Sequence, residues 1–432
     1  MSGHSVFWFR RDLRLDDNVG LYEAVKSNGP VIPIFIFDPD ILDELPQDDA
    51  RVSFIHDQLS ILQKNIREAG GQLLVFHGKV LDVYRELINT YDITSIYSNR
   101  DYEPYAIKRD KAVEQLANEN DIAFYQFKDQ VLFEQDQIVK ADGNPYVVYT
   151  PYRKRWEALM DEQGINPLPS PEDFNWASGL EPSMPSLEEI GFERSKIEVP
   201  AFRLNTQLIE QYEEERNFPA KDQSTSRLGP HLRFGTVSVR KLADYCLKHQ
   251  NRVFLHQLIW RDFFMQILWH FPHTTNSSFK PVYDRIQWRN NREEFDRWCQ
   301  GKTGYPLVDA GMRQLVATGY MHNRVRMVVA SFLCKHLLID WRWGEAFFAK
   351  HLLDFELAAN VGNWQWAAGS GVDAAPYFRI FNPMTQFQKF DPTKEYVSTW
   401  VPEWQELTYV QPMVDHKMAR ERCLSTYKAG IQ

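Results

Sequence analysis

Hydrophobic and polar positions change period twice along the chain. Over the first 130 or so residues, short apolar runs recur at Val6-Phe-Trp-Phe9, Val31-Ile-Pro-Ile-Phe-Ile-Phe37, Gln72-Leu-Leu-Val-Phe76, Ile93-Thr-Ser-Ile-Tyr97 and Ala123-Phe-Tyr-Gln-Phe127. Polar-periodic stretches such as 52–68 and 81–89 separate them. That alternation predicts an open, mostly parallel, Rossmann-like α/β sheet. No GxGxxG or P-loop follows the first run, so the fold alone names no ligand. From about 131 to 200 the periodicity decays around Pro167, Pro169, Pro171, Pro182, Pro185 and Pro200, which reads as a long surface connection. Beyond 200 the period is helical. Within 325–337, apolar residues fall at 325, 328, 329, 332, 333 and 337, one face of a helix, and 254–268 and 344–353 behave alike. The expected organisation is an α/β domain over 1–130, a connection over 131–200 and an all-α domain over 201–432.

Length agrees with more than one core, since the chain has 432 residues. Its 44% hydrophobic and 25% charged residues are ordinary for a globular enzyme. Aromatics reach 14%, with 13 Trp, enough to ask whether some do more than pack. A formal charge of −9 argues against binding nucleic acid by bulk electrostatics, but a basic groove can exist on an acidic protein. Cys246, Cys299, Cys334 and Cys423 form no CxxC pair, so neither a metal site nor a disulfide framework is expected. No basic leader opens the chain and no apolar stretch reaches about 18 residues. A soluble, cytoplasmic, metal-free monomer is the expectation.

The chemistry concentrates in Leu357-Ala-Ala-Asn360-Val-Gly-Asn-Trp364-Gln-Trp366-Ala-Ala-Gly-Ser-Gly-Val-Asp373-Ala-Ala-Pro-Tyr-Phe-Arg379-Ile-Phe-Asn382-Pro. Small residues let a backbone approach a flat ligand. Aromatics can stack on ring systems, and Asn360, Asn363, Gln365 and Asn382 can read heterocycle edges. The segment resembles the flavin- and lesion-binding region of the photolyase/cryptochrome family, most like the class I cyclobutane-pyrimidine-dimer photolyases. The resemblance spans essentially the whole chain and is most specific from Tyr212 to Asp391.

The resemblance implies FAD held in the helical domain. Tyr212 and Thr225-Ser226-Arg227-Leu228-Gly229 would wrap the dinucleotide's phosphates, with Phe254 beside them. Hydroxyls and free N–H groups near a helix start suit a phosphate, although cap-and-turn duty explains such a segment taken alone. In His322-Asn323-Arg324-Val-Arg326-Met327, positions 323, 326 and 327 share a helix face while Arg324 projects elsewhere. By resemblance, Arg326 pairs with Asp354 beside the flavin, Asp354, Phe355 and Glu356 contact it, and Asn360 presents its side chain to flavin N5. Asn323 and Met327 would face the lesion.

Gln257-Leu-Ile-Trp260-Arg261 places Gln257, Trp260 and Arg261 on one helix face. With Trp366, Trp260 would form an aromatic wedge around a flipped dimer. Stacking of about 1–3 kcal/mol per base offsets the few kcal/mol of unpairing at a lesion. Gln257 departs from the family pattern, since dimer photolyases of this class usually carry Glu there. Gln is commoner in 6-4 photolyases and animal-type cryptochromes, but those place histidines where this chain has Asn323 and Met327.

Trp364, Trp341 and Trp288 match the family's electron-transfer chain; buried Trp residues also simply pack. Arg153, Arg216, Arg261, Arg324, Arg379 and Gln386 fall where the family contacts the DNA backbone, a local basic rim that the acidic total conceals. A second, light-harvesting chromophore of folate or deazaflavin type is left open. Asp101-Tyr-Glu-Pro-Tyr105 lacks the Asn-Glu pair that some relatives use for methenyltetrahydrofolate. The implied activity is light-dependent repair of UV-damaged DNA. The alternatives are a cryptochrome-like blue-light receptor and a 6-4 photolyase.

Overall fold

The computed structural model describes residues 3–27, 29–134, 136–171, 173–221, 223 and 225–432. Its residues cluster into two compact units. Met1–Gln137, Glu157–Ala201 and Leu228–Gln250 make one; Ile138–Trp156, Phe202–Arg227 and Asn251–Gln432 make the other.

Five strands form the first unit's sheet: β1 (His4–Phe9), β2 (Val31–Phe37), β3 (Leu74–His77), β4 (Ile93–Asn99) and β5 (Ala123–Phe127). All pairs are parallel and the order is β3-β2-β1-β4-β5. The expected α/β architecture is therefore present. All seven residues of β2 are buried, as expected of a parallel sheet covered on both faces. Strand alternation sends Phe7, Phe9, Val31, Phe35 and Phe37 into one core, and Val6, Trp8, Ile32, Ile34 and Ile36 into another. Pro33, which has no N–H to donate, precedes Ile34, the first β2 residue paired with β3.

The second unit is helical. Helices Arg252–His270, Asn323–Ser331, Trp341–His351 and Leu357–Ala368 frame its functional part. Asn251 and Asp340 start two of them by accepting backbone N–H groups. Leu357–Ala368 stops at Gly369, whose φ of 90° is left-handed. The helix expected over 325–337 does not run through. Its α geometry ends at Ser331, Phe332–Leu337 is a π-helix, and Leu338 turns left-handed at φ 52°. All six residues of the wider turn are buried, including Lys335 and His336. Packing, not the 3.6 period, decides that segment.

Candidate functional site

A cavity of about 110 Å³ lies among helices Asn323–Ser331, Trp341–His351 and Leu357–Ala368. Asn323, Arg326 and Met327 reach it from one face of their helix, and Arg324 does not line it. His322 caps that helix by accepting the Arg324 N–H at Nδ1 across 3.2 Å. Arg326 donates to the Met321 carbonyl at 2.7 Å and to both Asp354 oxygens at 2.9 and 3.1 Å. Asp354, Phe355 and Glu356 line the cavity just before helix Leu357–Ala368, which contributes Asn360, Trp364 and Trp366. Phe348, Leu352 and three alanines complete apolar walls. Apolar walls that also carry a guanidinium, carboxylates and an amide fit a planar heteroaromatic ring with polar substituents.

A cationic group surrounds His322. Burial, then Arg326, Arg324, Arg227 and Arg216, push its pKa down to about 4. Tyr320, which sequence reasoning missed, joins two parts of the group. The Arg227 guanidinium lies 3.6 Å from its ring centroid, Arg326 lies at 5.9 Å, and Thr225 hydrogen-bonds it. Arg227 is left-handed at φ 57°, and the Ser226 carbonyl accepts from the Arg203 N–H at 2.6 Å. Tyr212 packs on Phe254 at 4.8 Å, with Arg216 over its ring at 5.3 Å. None of Tyr212, Thr225, Ser226, Arg227 and Phe254 lines the cavity. Arg227 closes a stretch of the second unit, and Leu228 and Gly229 open a stretch of the first.

Gln257, Trp260 and Arg261 are spread over different partners. Gln257 accepts from Arg216 at 3.1 Å and donates to the Val253 carbonyl at 3.0 Å. Trp260 stacks on Tyr149 at 3.6 Å, nearly parallel, and does not line the cavity that Trp366 enters. Arg261 lies 3.8 Å from Glu356. Arg153 contacts the His256 ring nitrogens at 3.2 and 3.3 Å. Arg324 donates to Asn217 at 2.6 Å and covers the Phe390 ring at 4.4 Å. Arg379 is exposed and Gln386 partly so. Trp341 and Trp364 are buried in one core cluster, and Trp288 packs at its margin. Trp364 touches Phe348 at 4.9 Å and Trp298 at 6.2 Å; Trp288 meets Tyr427 at 5.9 Å.

Comparison with known proteins shows the family. Residues 5–172 match the family described as DNA photolyase, and 254–408 the FAD binding domain of DNA photolyase. A deoxyribodipyrimidine photo-lyase of Halobacterium salinarum is 37% identical over 98% of both chains. The chain belongs to the photolyase/cryptochrome family. Among solved structures, a bacterial class III photolyase from Agrobacterium tumefaciens superposes with a TM-score of 0.88, at 35% identity, over 100% of this chain and 98% of that one. An archaeal photolyase from Sulfolobus tokodaii, described with two FAD molecules, gives 0.85 at 35% identity, over 99% and 100%. FAD is the cofactor of this photolyase-family chain.

Several residues of the photolyase-like segment serve packing, contrary to the sequence reading. Gln365 is buried; its amide donates to the Thr274 and Ser277 carbonyls, and its Oε1 accepts from the Phe279 N–H. Asn382 is a helix cap, accepting from Met384 and Thr385. A Cβ on Gly362 would run into the Phe264 ring, so this glycine admits a protein side chain and not a ligand. Asn360 sits in the first turns of its helix.

A second cavity, of about 150 Å³, lies in the first unit beyond the carboxyl ends of β1 and β2. Trp8, Phe35, Phe37 and Phe234 line it with Arg10, Asp38, Asp101, Tyr105 and Arg109. The Arg10 and Arg109 guanidiniums each lie 4.7 Å from the Trp8 ring centroid. β1 sits between β2 and β4, so the strand order reverses there, where open α/β sheets bind ligands. The segment Asp101-Tyr-Glu-Pro-Tyr105, weighed in the sequence for a second chromophore, contributes Asp101, Glu103 and Tyr105 to its wall. Among the described residues, no cluster of metal-ligating side chains and no helix long and apolar enough to cross a membrane is present.

Proposed function

We propose that the protein is a light-dependent deoxyribodipyrimidine photo-lyase that repairs cyclobutane pyrimidine dimers in UV-damaged DNA. One observation carries this reading. A single cavity gathers Arg326, Asp354, Glu356 and Asn360, assigned to the flavin, with Asn323, Met327 and Trp366, assigned to the lesion. FAD, which Arg326, Asp354, Glu356 and Asn360 would hold, would supply light-driven electron donation in its reduced state.

The chain's own residues position and shield. Arg326 and Asp354 hold the polar edge of the cavity, and Phe355 closes beside it. Tyr212, Thr225, Ser226, Arg227, Leu228 and Gly229 bind the dinucleotide phosphates, braced by Phe254. Trp260 and Trp366 offer stacking faces to the flipped bases. Gln257, Asn323 and Met327 meet the pyrimidine edges. Arg153, Arg216, Arg261, Arg324 and Arg379, with Gln386, hold the phosphates that fix register. Trp288, Trp341 and Trp364 relay electrons inward to keep the cofactor reduced.

The second cavity is assigned to a flat tricyclic antenna of flavin or deazaflavin type, on the strength of its aromatic lining and paired arginines. Chromophore stoichiometry after denaturation tests this: one FAD per chain and nothing else would refute it. A cryptochrome-like signalling role is the second reading, supported by the burial of Trp341 and Trp364 in one core. Illumination of purified protein with separate cyclobutane-dimer and 6-4 oligonucleotides, followed by product analysis, distinguishes repair from signalling.

A further inference from the structure

Glu345 lies on helix Trp341–His351, outside every motif discussed so far. Its backbone carbonyl accepts from Asn360 Nδ2 at 3.1 Å, and its side-chain Oε1 accepts from the same nitrogen at 2.8 Å. A backbone carbonyl can only accept, so it favours the NH₂ end of Asn360 toward Glu345, and the shorter bond to the Glu345 carboxyl oxygen holds the amide there. Both amide hydrogens are then taken. Asn360 is only 8% exposed, lines the cavity, and its Oδ1 takes no hydrogen bond from the described residues.

We propose that Glu345 is a positioning residue that turns the carbonyl oxygen of Asn360, and not its NH₂, toward the flavin, and so biases the cofactor toward its reduced state. The inference rests on the reading of this cavity as the flavin site. Oxidised flavin takes up two electrons and one proton to become the anionic reduced form, and the proton resides on N5. An acceptor-only oxygen attracts the N5–H of the reduced ring and repels the lone pair of the oxidised one. An amide free to rotate would serve both forms equally and favour neither. Burial raises the Glu345 pKa while the Asn360 N–H opposes that rise, so the two side chains stabilise each other's orientation.

The test is the flavin midpoint potential of FAD-loaded protein, measured by reductive titration in the dark. Glu345→Leu removes the side-chain acceptor. We expect the reduced form to lose about tenfold in preference, a downward shift of about 30 mV for a two-electron couple. Glu345→Gln keeps an accepting oxygen and should stay at the wild-type potential. An unchanged potential in Glu345→Leu, or an equal fall in both variants, would overturn the proposal. If the Leu variant does not fold, infrared difference spectra of wild-type protein with labelled asparagine decide. The Asn360 carbonyl band should move to lower frequency on reduction, and a stationary band would overturn the proposal. Failure of wild-type protein to bind FAD would instead refute the flavin site itself.

Discussion

Arg216 donates to Gln257 Oε1 across 3.1 Å, linking helix Arg252–His270 to a residue 41 positions earlier. One hydrogen of the Gln257 amide is spent on the Val253 carbonyl at 3.0 Å. The amide therefore leaves the guanidinium's charge intact, and one N–H remains for a pyrimidine carbonyl.

Gln257→Glu should convert this contact into an ion pair and cancel one positive charge on the side proposed to face DNA. Affinity for damaged duplex should fall at low salt, and the slope of log K against log salt should shrink by about one. Titrations at several salt concentrations check it. An unchanged slope would mean that Arg216 does not engage phosphate.

Trp260→Ala should weaken binding of lesion-containing DNA by about 1–3 kcal/mol while FAD stays bound. The stack on Tyr149 holds one face of Trp260, so its orientation is set before DNA arrives. Equal loss of affinity for damaged and intact duplex would assign Trp260 to structure and not to the lesion.

Trp364→Phe should slow photoreduction of oxidised FAD sharply. Its ring fills the space beside Gly344, where a Cβ would collide with it, so the smaller ring should also cost about 1–2 kcal/mol of stability. Transient absorption and thermal unfolding separate the two effects. Normal photoreduction would move the electron source to another aromatic.

Acid should destabilise the protein through His322. Burial and four arginines hold its folded-state pKa at about 4, below the ordinary value of about 6.5. Between these values the unfolded chain binds a proton that the folded one refuses. Stability contributed by this residue is complete above about pH 6.5 and falls as pH drops toward 4, by up to about 3 kcal/mol. His322→Asn keeps a capping side chain and removes the titration, so it should flatten the acid limb of stability against pH. Identical limbs in both proteins would contradict the assignment.

What the sequence revealed and concealed divides along physical lines. The five strands were legible because buried parallel strands read as short continuous apolar runs. The face shared by 323, 326 and 327 was legible because helical spacing is local. Contacts between distant residues were not. The bond from Asn360 to Glu345 spans 15 positions, and no pattern announces it. Tyr320 became significant only when Arg227 and Arg326 were seen against its ring. Gln365 and Asn382 look like ligand readers in the sequence, yet backbone groups of their own unit claim them. The π-turn over Phe332–Leu337 defeats periodicity because wider winding still buries every side chain.

Repair per absorbed photon tests the central claim most directly. The flavin is reduced beforehand, so the tryptophan relay is not needed, and cyclobutane-dimer and 6-4 oligonucleotides are illuminated separately. The account predicts that the cyclobutane dimer returns to intact pyrimidines while the 6-4 product persists. If neither lesion is split by protein that binds FAD and photoreduces it, the repair assignment is wrong and the cavity serves a photoreceptor.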